Sequence, residues 1–283
     1  MTIKYRGVCP ECDWTGEPKL MNGAARDADE HRDETGHAAK IERAVATDGG
    51  CVQDGDAVVQ GDAFDALASL EEDSGHAAIV DYPWKFEAQN GTGRFGNDGD
   101  RGFDAYGTED HERLADVLDE LAGSLVGGAW VFVFADDETS PGFRRIVEES
   151  ELTYRRTLAW DREKFGMGTY HRVQHYPIIS ATNGDTERYV RDRGTVFRAL
   201  KHDGSPSTND YPTAKPVKLY RQMLRPPVLE EGERLLEPFC GSGPGAAIAA
   251  ERGLNYWGVD ANSDAVDQAR ERLEQQRIGQ VTL

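Results

Sequence analysis

Long apolar runs are missing from this sequence. No stretch approaches the roughly 20 consecutive apolar residues needed to cross a bilayer. The opening MTIKYRGVCPEC also lacks the apolar core of a secretory signal. A cytoplasmic protein with no membrane partner is expected. Cysteine is scarce: four in 283 residues exclude a disulfide scaffold at this length. Positive charge is in short supply too, with 32 Lys and Arg against 51 Asp and Glu and a net charge of −19. The acids are spread through every segment, and the bases are mostly Arg. That pattern suits a halophile's high-salt cytoplasm, where the Debye length shrinks to about 3 Å and long-range repulsion is screened.

The deficit is uneven. Residues 141–225 hold 16 Lys and Arg against 10 Asp and Glu, a local +6, while the rest of the chain carries −25. A basic stretch in an acidic chain is a candidate nucleic-acid face; a chance excess on a solvated surface is the plainer alternative.

Three regions precede or form the bulk of the chain: a Cys/His cluster in 1–40, a Gly/Asp-containing connector in 41–56, and a main domain in 57–283. In the main domain short apolar strands alternate with amphipathic helices. VVQGD, HAAIVDYPW and GAWVFVFAD read as strands, and AFDALASLEED and HERLADVLDELAGSL as helices. After a polar, Arg-rich stretch, KPVKLYRQML reads as a helix and RLLEPFCGSGPGAAIAAERG as strand, turn and helix. YWGVDAN is a last strand and SDAVDQARERLEQQR a last helix. This alternation predicts an α/β fold with a mostly parallel, Rossmann-like sheet and helices on both faces. The Gly- and Asp-rich residues 89–107 read as a mobile loop.

Two places carry chemistry. In LLEPFCGSGPG a strand ends in a turn where Gly241, Gly243 and Gly245 let the backbone approach a ligand at the head of a helix. About 17 residues beyond Gly243, the next strand ends in Asp260, placed to accept hydrogen bonds from ribose hydroxyls. A dinucleotide oxidoreductase competes for this pattern, as does a merely tight turn. Only one strand follows the turn, however, and a dinucleotide fold needs several. The second place is Asp81-Tyr82-Pro83-Trp84, directly after the strand AAIV. An exocyclic base amine is a poor nucleophile because its lone pair is delocalised into the ring. The Asp81 carboxylate and the Tyr82 carbonyl, both accepting from the NH2 group, would draw the nitrogen toward tetrahedral geometry. Pro83 would stiffen the turn, and Trp84 would offer a face for an extruded base. Taken alone, the tetrapeptide is as readily a β-turn with an incidental Asp and a packed Trp.

The order GDAFDALASL, DYPW, YPTAKP, EPFCGSGPG, GVDAN over residues 57–275 resembles the beta class of DNA amino-methyltransferases, the N6-adenine/N4-cytosine type. In that class the motif order is permuted, the catalytic tetrapeptide (Asp/Ser/Asn-Pro-Pro-aromatic) preceding the cofactor motif. The resemblance implies an enzyme that uses S-adenosylmethionine on double-stranded DNA, methylating a flipped base at its exocyclic amine. It places Phe239, Gly241 and Gly243, with Glu237, Pro238 and Ser242, around the methionine part of the cofactor and Asp260 with Ala261 at the ribose. Asp62 and Ala63 would lie by its adenine, Lys215 and Pro216 would begin the helix that walls the pocket, and Asp81 would face both cofactor and base. The segment WDREKFGMGTYHRVQHYPIIS resembles the target-base motif, putting Trp160 and MGTYHR near the flipped base. The short region 181–211 is then the candidate reader of sequence, with Arg188, Arg191, Arg193, Arg198 and Lys201 as DNA contacts; a solvated Arg-rich loop is the alternative. Tyr82 and Tyr211 replace the family's usual Pro and His, and His175-Tyr176 its frequent His-Glu; none of these removes a carboxylate. Asp at the head of the tetrapeptide is similar to the adenine-N6 members. Cytosine N4, an RNA adenine and a catalytically inactive zinc-bearing adaptor are the other readings. A second copy of the chain and a paired restriction endonuclease are partners the sequence leaves open.

Cys9-x2-Cys12 followed by His31-x5-His37 has the ligand types and outer spacings of tetrahedral zinc, and resembles a two-Cys, two-His zinc finger. A helix from about residue 22 through His31, ended by Gly36, would swing His37 round to the metal. An unstructured acidic tail is the alternative. This polar segment has too few apolar residues to fold without a staple.

Overall fold

The computed structural model describes residues 4–12, 14, 28, 31–32, 34–44, 57–83, 111–166, 168, 170–200 and 214–281. Trp84, Lys201 and the loop expected at 89–107 lie outside them. The chain divides into two compact units, Met1–Gln53 and Asp54–Leu283. Among the described residues no helix is long and apolar enough to cross a membrane.

In the first unit, β1 (Lys4–Val8) pairs antiparallel with β2 (Lys40–Ala44), from Lys4 opposite Ala44 to Val8 opposite Lys40. The segment assigned from sequence to a connector therefore begins as a strand, because the N–H and C=O groups of β1 need partners. Between them, helical backbone at residues 31–32 and 34–35 ends at Gly36, whose φ of +75° is the left-handed conformation that stops a helix.

The second unit is built on one sheet. Its strands are β3 (Ala57–Gln60), β4 (Gly75–Val80), β5 (Leu125–Phe134), β6 (Thr153–Asp161), β7 (His175–Thr182), β8 (Val196–Arg198), β9 (Arg234–Glu237) and β10 (Asn255–Asp260). Its helices are α1 (Ala63–Leu67), α2 (His111–Ser124), α3 (Ser140–Glu149), α4 (Val217–Met223), α5 (Pro244–Arg252) and α6 (Ser263–Val281). The spatial order is β3-β10-β9-β4-β5-β7-β6-β8. All neighbours run parallel except β7, which opposes both β5 and β6. Strands covered on both faces read as unbroken apolar runs, and Ala77, Ala78, Ile79 and Val80 of β4 are wholly buried.

Helix α1 is shorter than the sequence suggests. Ser69 turns its hydroxyl back onto the Ala66 carbonyl at 2.6 Å, a local bond that competes with helix continuation. The feature that positions the site is the β9–β4 boundary. From there the chain's crossovers leave in opposite directions, to β10 and β3 on one side and to β5 on the other. Ligands of open α/β sheets bind in the crevice at such a point, beyond the carboxyl ends of the strands.

Candidate active site

Adjacent parallel strands deliver both halves of the site to that crevice. Ala77 pairs with Leu235 and Ala78 with Leu236, so three residues further on Asp81 stands level with Phe239. On the other flank Gly258 pairs with Glu237, which brings Asp260 level with Phe239 as well. Asp81, Lys215, Phe239, Gly241, Ser242 and Pro244 line one pocket. The spatial premise read from the motif order therefore holds: the tetrapeptide Asp and the glycine turn open onto the same cavity.

The turn is shaped by two glycines. Gly243 has φ +76°, and a Cβ there would sit 2.6 Å from the Cβ of Ala269 in α6. A Cβ on Gly245 would sit 2.2 Å from Oε2 of Glu237, so this glycine lets α5 close on the end of β9. Asp260 accepts from the Gly241 N–H at 2.8 Å and the Asn262 N–H at 2.9 Å, which ties the turn to the end of β10. Burial raises its carboxyl above the usual range, while these two N–H bonds pull the other way. Next to it, the Gly61 N–H donates to the Asp260 carbonyl at 3.0 Å. Asp62 caps α1 by accepting from the Phe64 N–H, Ala63 begins that helix, and both lie beside Asp260 at the carboxyl edge. Ala261 follows β10 on the surface.

On the acceptor side, Tyr82 is buried, its ring edge-on to Phe143 and Phe239 at 5.9 and 5.4 Å. Pro83 follows it. The Lys215 ammonium donates to Oδ2 of Asp81 and lies 5.2 Å from the centroid of Phe134. Pro216 is the residue before α4, as expected.

Several expectations need correction. Glu237, assigned to the cofactor, is wholly buried and does not line the pocket. The Glu237 carboxylate is sealed beneath it, accepting from the hydroxyls of Tyr220 at 2.7 Å and Tyr256 at 2.6 Å. Burial pushes its carboxyl up to about 8, against the pull of those two bonds, with the charges of Asp81 and Asp260 adding to the rise. Burial likewise pushes the Cys240 thiol up. Trp160 is not a surface for the base. It is a core residue whose indole N–H donates to the carbonyl of Ala199, the residue after the neighbouring strand β8, at 2.8 Å. Arg188 is spent on Glu233 in a two-pronged ion pair at 2.7 and 2.6 Å, at the opposite end of β9 from the pocket. Arg193 is spent on Asp192 and on the carbonyls of Gln222, Arg225 and Pro226. Neither is placed to hold a phosphate. Arg191 lies over the ring of Tyr189, and the largely exposed Arg198 is 3.5 Å from Asp161.

Sequence reasoning missed Ala214, Tyr220 and Cys240 as pocket neighbours. Cys240 was readable from its place inside the glycine motif. Tyr220 and Tyr256 carried no local signal for their shared carboxylate.

The first unit holds a separate cluster. The ligand atoms of Cys9, Cys12, His31 and His37 all lie within 4.8 Å of one another. Cys9 Sγ is 3.7 Å from His37 Nδ1, and Cys12 Sγ is 3.6 Å from His31 Nε2. Tetrahedral zinc with its usual S and N bond lengths sets such edges at about 3.5 Å, so the four residues fit the ion. Trp14 stacks on the His31 ring at 4.2 Å and holds it in place.

Among known proteins, the sequence profile of a DNA methylase family, the N6/N4 methyltransferases, matches residues 98–271. The type II methyltransferase M.HpaI of Haemophilus parainfluenzae is 23% identical over 245 residues, 78% of this chain and 75% of its own. Two solved structures share the fold. The M1.HpyAVI–SAM complex matches with a TM-score of 0.59 at 14% identity, over 77% of this chain and 98% of that one. The cytosine-N4-specific PvuII DNA methyltransferase matches with a TM-score of 0.62 at 10% identity, over 78% and 86%.

Proposed function

This chain belongs to the N6/N4 family of DNA methylases, and on that premise we propose that it methylates the N6 amine of adenine in double-stranded DNA. The observation that carries the reading is the shared pocket of Asp81 and the Gly241–Gly243 turn, two segments far apart in sequence that the pairing of β4 with β9 brings to one crevice. S-adenosylmethionine supplies an electrophilic methyl group on its sulfonium. The glycine turn, at the head of α5, lets the backbone come close to the amino-acid end of that cofactor. Asp260 accepts from the ribose hydroxyls, and Asp62 and Ala63 border its adenine.

The acceptor side does its work through hydrogen bonds. Lys215 holds Oδ2 of Asp81, which leaves Oδ1 to accept from the target NH2. With the Tyr82 carbonyl as second acceptor, the amine is pulled out of conjugation and its lone pair turns toward the methyl group. The methyl moves directly from sulfur to nitrogen, and the amine sheds a proton toward Asp81 and solvent. Asp rather than Ser at this position supports adenine. The fold shared with a cytosine-N4-specific enzyme makes N4 of cytosine the second reading. The type II relative supports a modification role beside a restriction endonuclease. In the N-terminal unit, Cys9, Cys12, His31 and His37 hold a structural zinc ion. The acidic surface fits a halophile's cytoplasm.

The test is to map modified bases in host DNA carrying this gene or its Asp81→Ala version. N6-methyladenine that disappears with the substitution is expected. Modification that survives it overturns the mechanism, and N4-methylcytosine in its place overturns the base.

A further inference from the structure

The antiparallel strand β7 gives the sheet a projection. Val80 of β4 pairs with Val133, and Phe134 pairs with Ile178, so Ile178 stands abreast of Asp81. Beyond that level β6 and β7 stay paired through Pro177, Tyr176 and His175. At about 3.3 Å per residue the hairpin rises about 10 Å past the carboxyl edge, and at about 4.8 Å per strand it stands about 10 Å to the side of Asp81. Its tip therefore overlooks the pocket.

Below the tip, residues 162–166 are bonded to residues 172–174. The Gly166 N–H donates to the Val173 carbonyl at 2.6 Å, and Arg162 N–H to the Gln174 carbonyl at 2.9 Å. Arg172 donates to the Gly166 carbonyl at 2.8 Å and lies over the Phe165 ring. Tyr170 is left 95% exposed at the summit, and no hydrogen bond or ring contact to it forms among the described residues. Lys164 and Arg172 belong to the same loop, with Glu163 and Asp161 at its base, while the Arg162 guanidinium lies back over the Tyr176 ring. A loop that presents an exposed aromatic ring with Lys164 and Arg172 in the same turn, beside the pocket, matches the chemistry of a duplex from which a base has left. Such a duplex has anionic walls and an unstacked gap.

We propose that Tyr170 enters the duplex and occupies the place vacated by the flipped base, stacking on its former neighbours while Lys164 and Arg172 face the phosphates. This rests on the methyltransferase reading above. Stacking of an aromatic ring on a base favours the flipped state to an extent that, when lost, slows capture of a paired target by about 10- to 100-fold.

The recognition site is taken from the base mapping, and two synthetic duplexes carry it. In one the target base is normally paired; in the other it faces an abasic position and needs no unpairing. Single-turnover methylation by Tyr170→Ala is expected to fall about 10- to 100-fold on the paired duplex and to stay near wild type on the abasic one. Tyr170→Trp should restore the paired rate. Equal losses on both duplexes, or no loss on either, overturn the proposal. A wild-type chain that methylates neither duplex overturns the methyltransferase reading itself, and the wedge with it.

Discussion

Replacing Glu237 with Gln should flatten part of the protein's pH–stability curve. The carboxyl is raised from an ordinary 4.5 to about 8 by burial, so the folded chain keeps a proton that the unfolded chain releases. Between those values the unfolded state binds fewer protons, and stability falls with rising pH by about 1.4 kcal/mol per unit. From acid to pH 7 the loss is about 3 kcal/mol, and above pH 8 this contribution is level. Gln cannot titrate, so the variant lacks that slope. It has its own cost of about 1 kcal/mol, because its NH2 cannot accept from one of the two tyrosine hydroxyls as the hydroxyl oxygen of the protonated carboxyl can. The two proteins should therefore be about equally stable near pH 5, with Glu237→Gln ahead by about 2 kcal/mol at pH 7. Urea unfolding at constant KCl from pH 5 to 8.5 reads the difference directly, since all other groups cancel. A wild-type-minus-variant difference independent of pH would refute the reasoning.

Three further outcomes are expected. Arg188→Ala should cost about 1–2 kcal/mol of stability by leaving Glu233 half-buried and unpaired, yet leave the salt dependence of DNA binding unchanged; a salt slope lowered by about one would instead mark Arg188 as a phosphate contact. The N-terminal unit should take up one cobalt ion per chain with the absorption of a two-thiolate tetrahedral site, quench Trp14 on binding, and lose both signals in Cys9→Ser; no cobalt uptake by the wild type would remove the metal. Activity should rise with KCl into the molar range, and an optimum in dilute buffer would contradict the high-salt interpretation of the −19 charge.

The sheet was legible wherever strand and helix alternated with clean apolar periods, as in β4, α2, β5 and the final β9–α5–β10–α6 run. β1 and β2 were not. KYRGV and KIERA are polar five-residue stretches whose strand character comes from each other, across 31 intervening positions. The β6–β7 hairpin was visible only as a motif, because the reversal of β7 is a property of the assembled sheet. Of the pocket's poles, the glycine turn was readable locally because Gly241 and Gly243 take positive φ, whereas Asp81 was readable only through the order of the motifs. Glu237 was misread for the opposite reason. Its place in the motif is local, but its function is set by Tyr220 and Tyr256, which approach from different elements. Arg188 and Arg193 were misassigned because charge composition says nothing about which carboxylates and carbonyls fold back upon them.

The pairing of Ala77 with Leu235 has a consequence during synthesis. A ribosome adding about 5–20 residues per second makes the segment from β4 to β9 in about 10–30 seconds. Throughout that interval Ala77–Val80 is an apolar edge strand whose unsatisfied N–H and C=O groups invite wrong partners. A nascent chain in that state owns the tetrapeptide but no cradle for a methyl donor. The polypeptide is inert toward the genome until nearly its last strand has left the exit tunnel.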